Sequence, residues 1–316
     1  MGFMEIQTIR RIVKAILVLV VTSFFMSCNN NIEQSANKLP TDLGAMQKQM
    51  IGQLSGEFEL KKGIKITDRW SNKQKRLVRE YLKEIIIELG LQPLEHSYNM
   101  PNLNQAIDLI LEPFKGVNVY TTLPATTASN EYVILGAHYD TGKINVPGAI
   151  DNASGMTLIY SVVKKLSKLP NRHKNVILVF FDQEEEESIG SSAFAKLLIK
   201  EKFDIHSVHT FDMIGWDSDN NKEVELEMPT QLLKKAYEKN AQELKIPIYT
   251  TQINSSDHFS FIKKGINTVG VSQAYAKRDN SGKKDTKEDK YELVNFDYLQ
   301  STTRLAFEVI KDLISK

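Results

Sequence analysis

The sequence predicts a three-layer α/β domain, a mixed but mostly parallel central sheet with helices on both faces. Three observations carry that expectation. Short, nearly continuous apolar runs, above all NVILVFF at Asn175–Phe181, have the length and β-branched content of strands buried on both faces. They alternate with segments of helical period, such as Leu77, Val78, Tyr81, Leu82, Ile85, Ile86 and Leu89. No internal repeat or linker-like stretch divides Met46–Lys316, so the alternation reads as one domain.

The first residues stand outside that domain. Arg10, Arg11 and Lys14 flank the apolar stretch AILVLVVTSFFM, which is short for a bilayer span and has the pattern of a secretory leader. It ends in FMSC, with the small Ser27 before Cys28, and this resembles the lipobox of bacterial lipoproteins, although Phe25 is bulkier than the usual leucine. The resemblance implies a leader over residues 1–27, acylation of Cys28, and a protein held by the lipid bilayer in the bacterial cell envelope. Cys28 is the only cysteine, so no disulfide is expected in the mature chain. Residues 28–45, with NNNIEQSANKLPTD, are polar and aperiodic and read as a flexible tether.

From Met46 the pattern is regular. The helix through Leu77–Leu89 meets a stop at Gly90. GVNVYTT and EYVILGAHYD follow as strands, then a helix over about Ala153–Leu169, the strand NVILVFF, and a helix over about Ser191–Lys202. IHSVHTFDMIG reads as a strand running into a polar turn, PTQLLKKAYEKNAQEL as a helix, NTVGVS as a strand, and FDYLQSTTRLAFEVIKDLI as a closing amphipathic helix. Ser255, Ser256 and Asp257 are suited to cap a helix starting near Phe259. The polar stretch Ala276–Lys290, AKRDNSGKKDTKEDK, is too long to be an idle connection.

Charge is balanced, with Lys+Arg 40 against Asp+Glu 39, and no basic face suggests a nucleic-acid partner. Chemistry is expected where parallel strands end. EYVILGAHYD brings His138 and Asp140 there, PGAI is followed by Asp151 at a helix start, NVILVFF leads to Asp182 and four glutamates, and IHSVHTF leads to Asp212. So many carboxylates on one edge repel one another unless a cation neutralises them. Imidazole with carboxylates, and no thiolate, suits a zinc-like ion in a catalytic site. There is no H-E-x-x-H and no G-x-S-x-G, and Gly136–Lys143 misses the phosphate-loop spacing by one residue. His96, His173, His206 and His209 carry no predicted role.

Taken in order, GAHYD, PGAIDNASG, FFDQEEEESIGS, FDMIG and SDHFSFIKKGI resemble the signature of the two-zinc aminopeptidases, the secreted bacterial leucyl-type enzymes and their glutamate carboxypeptidase relatives. The resemblance runs from about Glu131 to the C-terminus. It implies that residues 46–316 form a metallopeptidase catalytic domain acting on peptides with a free N-terminus, with two divalent ions, zinc by expectation. Position by position, His138 and Asp212 resemble ligands of the first ion, Asp151 the carboxylate shared by both, and Glu185 a ligand of the second. Glu184 falls on the general base, and Asp140 on the carboxylate that orients the His138 ring. Glu186 and Glu187 read as a solvated charge run. In such enzymes a water between the ions attacks the peptide carbonyl, and one ion meets the substrate's free amine.

One position departs from the pattern. Where the family's last ligand is a histidine, counting back from NFDYL reaches Asp285. Asp285 is expected to bind the second ion through oxygen; the alternatives are a weak or empty second position, or His258 swinging in from its place with Asp257 at the pocket edge. An extra carboxylate makes the centre less positive and favours harder ions, which implies a raised pH optimum. Asp285→His is therefore expected to move the pH–rate optimum downward, and an unchanged profile refutes the idea. Two other functions fit the same motifs: a one-zinc enzyme resembling glutaminyl cyclases, and an inactive metal-binding lipoprotein.

Overall fold

The computed structural model describes residues 39–100 and 114–316. The leader, Cys28 and most of the tether lie outside the described residues. The described chain forms one compact unit from Leu39 onward, and its first helix, α1 (Leu43–Leu54), starts a little before Met46 because Asp42 caps it, accepting from the Ala45 amide at 2.8 Å. Helix α2 (Asn72–Glu88) is capped likewise by Ser71 and stops before Gly90, whose φ of +75° only glycine adopts readily.

Among the described residues, eight strands make a single sheet: β1 (Leu94–Met100), β2 (Phe114–Leu123), β3 (Glu131–His138), β4 (Asn175–Phe181), β5 (Asp204–Asp212), β6 (Val224–Glu227), β7 (Ile248–Thr251) and β8 (Thr268–Gln273). Their order is β1-β2-β4-β3-β5-β8-β6-β7. The centre, β4-β3-β5-β8, is parallel, and antiparallel pairs join β1, β2 and β6 to it. The strands absent from the sequence reading are β1, β6 and β7. β6 and β7 are four residues long and β1, LEHSYNM, is largely polar, because a strand toward a sheet edge needs main-chain pairing but no apolar run on both faces.

The central strands show why their sequences are apolar without alternation. In β4, Val176, Leu178 and Phe180 enter one core, while Ile177, Val179 and Phe181 enter the other. The first core is closed by α1, α2, α3 (Gly155–Leu166), α5 (Gln231–Leu244) and α7 (Phe296–Ile314). The second is covered by α4 (Ile189–Lys200) and α6 (Asp257–Ile262), through Phe194 and Phe261. Helices thus cover both faces. Among the described residues no helix is long and apolar enough to cross a membrane.

Two local expectations are corrected. Helix α3 begins at Gly155, not Ala153, because Ala149–Ser154 is a wide irregular turn with a cis Asp151–Asn152 peptide. Asp151 therefore sits in that turn and not at a helix start. Helix α6 begins at Asp257 with Ser256 before it, but the Ser256 side chain caps nothing. Its hydroxyl donates to Asp212 Oδ2 at 3.0 Å instead.

Candidate metal centre and active site

The parallel strands β3, β4 and β5 end side by side, and that register gathers the predicted acids. His138, the last residue of β3, is fully buried. Its Nε2 lies 3.1 Å from Asp151 Oδ1, 3.3 Å from Asp212 Oδ1 and 3.9 Å from Glu184 Oε2. At this edge two sets of potential ligand atoms each fall within 4.8 Å of one another: His138, Asp151 and Asp212, and His138, Glu184 and Glu185. Asp285 and His258 belong to neither.

Each of these side chains is held from behind. Asp140 faces His138 Nδ1 at 3.5 Å, and its two oxygens accept the amides of Glu184 at 3.0 Å and Glu185 at 3.2 Å. One carboxylate therefore aligns the imidazole edge with the glutamate turn. That turn carries positive φ at Gln183, Glu187 and Ser188, a conformation that costs energy in residues other than glycine and clusters at functional sites. Asp289 accepts from the Ile150 and Asp151 amides at 2.9 and 3.0 Å and so pins the irregular turn. Arg69, fully buried, donates to the carbonyls of Leu54, Tyr139, Pro147, Gly148 and Asp151, tying together the segments that frame the centre.

The electrostatics are those of a site built for a cation. Among the described residues, the two Asp151 oxygens meet His138 Nε2 and Lys284 Nζ at 3.1 Å each, and Glu185 Oε1 and Asp285 Oδ1 are buried without a hydrogen-bond partner. A buried carboxylate oxygen left so costs several kcal/mol unless a positive charge meets it, on the order of 1–3 kcal/mol for each lost hydrogen bond. Burial pushes Glu184 well above the usual carboxylate range, and burial with Asp151 nearby pushes Glu185 up to about 9. Burial pulls the His138 imidazole down, yet Asp212, Glu184, Asp140 and Asp151 outweigh it and hold it raised. Imidazole nitrogen with the oxygens of Asp151 and Asp212 fits one divalent ion.

The expected second position is different. Lys284 Nζ makes an ion pair with Asp151 Oδ2 at 3.1 Å. Asp285 points its Oδ1 toward Gly142, where it and Glu185 Oε2 would crowd an added Cβ at 2.3 and 3.3 Å. An ammonium thus stands at the Asp151 oxygen expected to face a second ion.

Other expectations are resolved by packing. His258 does not approach the centre: its Nε2 donates to the Ile253 carbonyl at 2.8 Å and its Nδ1 faces Glu227 at 3.3 Å. Asp257 is buried behind the pocket, and burial raises it to about 7. Asp182 pairs with Lys75 of α2 at 2.8 Å, so this strand-end acid anchors a helix. Glu186 accepts from Gln183, and Glu187 is exposed at the rim. Beside the centre opens a cleft of about 430 Å³, lined in part by Glu184, Glu185, Ser188, Ser256, Phe259 and Lys284. The sequence reading missed Arg69, Asp289, Ser256 as a partner of Asp212, and Lys284. Lys284 and Asp289 had a signal, their place in the long polar stretch around Asp285.

Residues 118–310 match the family model described as peptidase family M28. A curated relative, leucine aminopeptidase 1 of Leptosphaeria maculans, is 27% identical over 225 residues, covering 64% of this chain. The chain spans 56% of the length of that relative. Among solved structures, LapB of Legionella pneumophila superposes with a TM-score of 0.72 at 18% identity, over 86% of this chain and 72% of that one. BSAP, a zinc aminopeptidase from Bacillus subtilis, gives 0.73 at 16% identity, over 89% and 97%. A glutaminyl cyclase of Porphyromonas gingivalis gives 0.71 at 14%, over 86% and 98%. At such identities these structures establish the fold.

Proposed function

This chain belongs to peptidase family M28, and from that membership and its site we propose a metal-dependent aminopeptidase that removes residues from the free N-terminus of peptides. The observation that carries the reading is Glu184, a buried carboxylate 3.9 Å from the metal-facing nitrogen of His138 and open to the cleft. Zinc is the proposed ion, as in the structurally similar enzyme of Bacillus subtilis. When bound, it supplies Lewis acidity, lowering the pKa of a water and polarising the scissile carbonyl.

The chain's own residues do the rest. Glu184 accepts the proton of the attacking water on Oε2 and passes it to the departing amine, acting as base and then acid. Ser188 Oγ, 3.5 Å from Glu184 Oε1, steadies the other oxygen. Asp140 keeps Glu184 and His138 in register through the backbone of the turn. Asp140→Asn is expected to weaken metal binding by about 10–100-fold, measured by competition with a chelating dye. Unchanged affinity would remove Asp140 from this role.

The test of the whole reading is release of free amino acid from aminoacyl reporter substrates, abolished by a chelator and restored by zinc. Release that ignores the chelator, or none at all, overturns it; the latter is the outcome of an inactive binding protein. Lys284 supports a second, cyclase reading, since an ammonium paired with Asp151 would suit a one-ion centre. A peptide with N-terminal glutamine separates the two, giving free glutamine by hydrolysis or, by attack of the α-amine on the side-chain amide, a cyclised peptide and ammonia. Acylation of Cys28 and envelope anchoring are proposed from the FMSC motif. Cys28→Ser should shift the protein out of the membrane fraction, and unchanged fractionation would refute the anchor.

A further inference from the structure

We infer that the Lys284 ammonium holds the place of a second cation beside Asp151, so that the centre takes up one divalent ion. This rests on the metal-dependent reading above and concerns only how many ions the centre holds. Asp151 is used on both sides: Oδ1 is 3.1 Å from His138 Nε2, and Oδ2 is 3.1 Å from Lys284 Nζ. A carboxylate shared by two ions would offer one oxygen to each. Here the second oxygen already has a fixed positive partner.

The local chain explains why the lysine gets there. Lys283–Thr286 is a tight turn, closed by the Thr286 amide and hydroxyl, both donating to the Lys283 carbonyl at 3.1 and 2.7 Å. Asp285 takes a positive φ of 56° within it. The two central side chains diverge. Lys284 enters the cleft beside Glu184 and Glu185, and Asp285 turns to the Gly142 backbone. The aspartate that replaces the expected histidine therefore faces Glu185 without a nitrogen donor, and the lysine before it supplies the missing positive charge. An ammonium and a divalent ion repel each other and cannot both sit on Asp151 Oδ2.

The number of zinc ions per chain tests this, measured by elemental analysis after zinc loading and gel filtration. Wild-type protein is expected to hold one. Lys284→Met removes the ammonium at similar length, and Lys284→Gln does so with a polar end in case the first variant fails to fold. Either is expected to hold two. Two ions in the wild type, or one still in the folded variants, overturns the inference and leaves the proposed function standing. A wild-type chain that holds none overturns both.

Discussion

Glu184→Gln is expected to lower kcat by about 10²–10⁴-fold while fold and metal content stay unchanged. The substitution keeps the shape of the side chain and its place beside Ser188, so cleft and backbone turn should persist. What it removes is the ability to take a proton from water and return it. Because Glu184 stands 3.9 Å from His138 Nε2, farther than Asp151 or Asp212, the ion should lose little when the carboxylate becomes an amide. Steady-state kinetics on an aminoacyl reporter with parallel zinc analysis read both halves. Activity near that of the wild type sinks the assignment, and loss of zinc along with activity would instead make Glu184 a ligand.

Arg69→Met should lower stability by about 3 kcal/mol or more, since the carbonyls of Leu54, Tyr139, Pro147, Gly148 and Asp151 all lose their donor in a dry interior. For a chain of this size that corresponds to a fall in Tm of about 5 °C. Burial lowers Arg69 to about 10, against the pull of Asp289, Asp151, Asp140 and Glu185, so the guanidinium is still charged at neutral pH. Its loss therefore also removes a positive charge that these four acids share. Lysine at this position restores charge but not the planar fork, and Arg69→Lys should recover only part of the loss. A thermal melt within about 2 °C of wild type for Arg69→Met would show that these carbonyls find other partners.

Much of this protein was legible as a string of residues. The buried strands announced themselves because a strand packed on both faces must be apolar at every position, as NVILVFF is. The closing helix was readable to its ends because one amphipathic face over Phe296–Ile314 meets the core and Asn295 caps its start. The convergence of His138, Asp151, Glu184 and Asp212 followed from a local rule, that side chains just beyond parallel strands share one edge. What the string could not carry are contacts whose partners are far apart along it. Arg69 is an ordinary arginine until folding brings five carbonyls from separate segments around it, and β6 is four residues long with no apolar run to mark it. Lys284 is the sharpest case. Composition shows a polar loop and counting shows an aspartate where a histidine was due, but neither says which of two adjacent side chains enters the cleft. The turn at Lys283–Thr286 makes that choice through backbone geometry, and with it the charge that Asp151 meets.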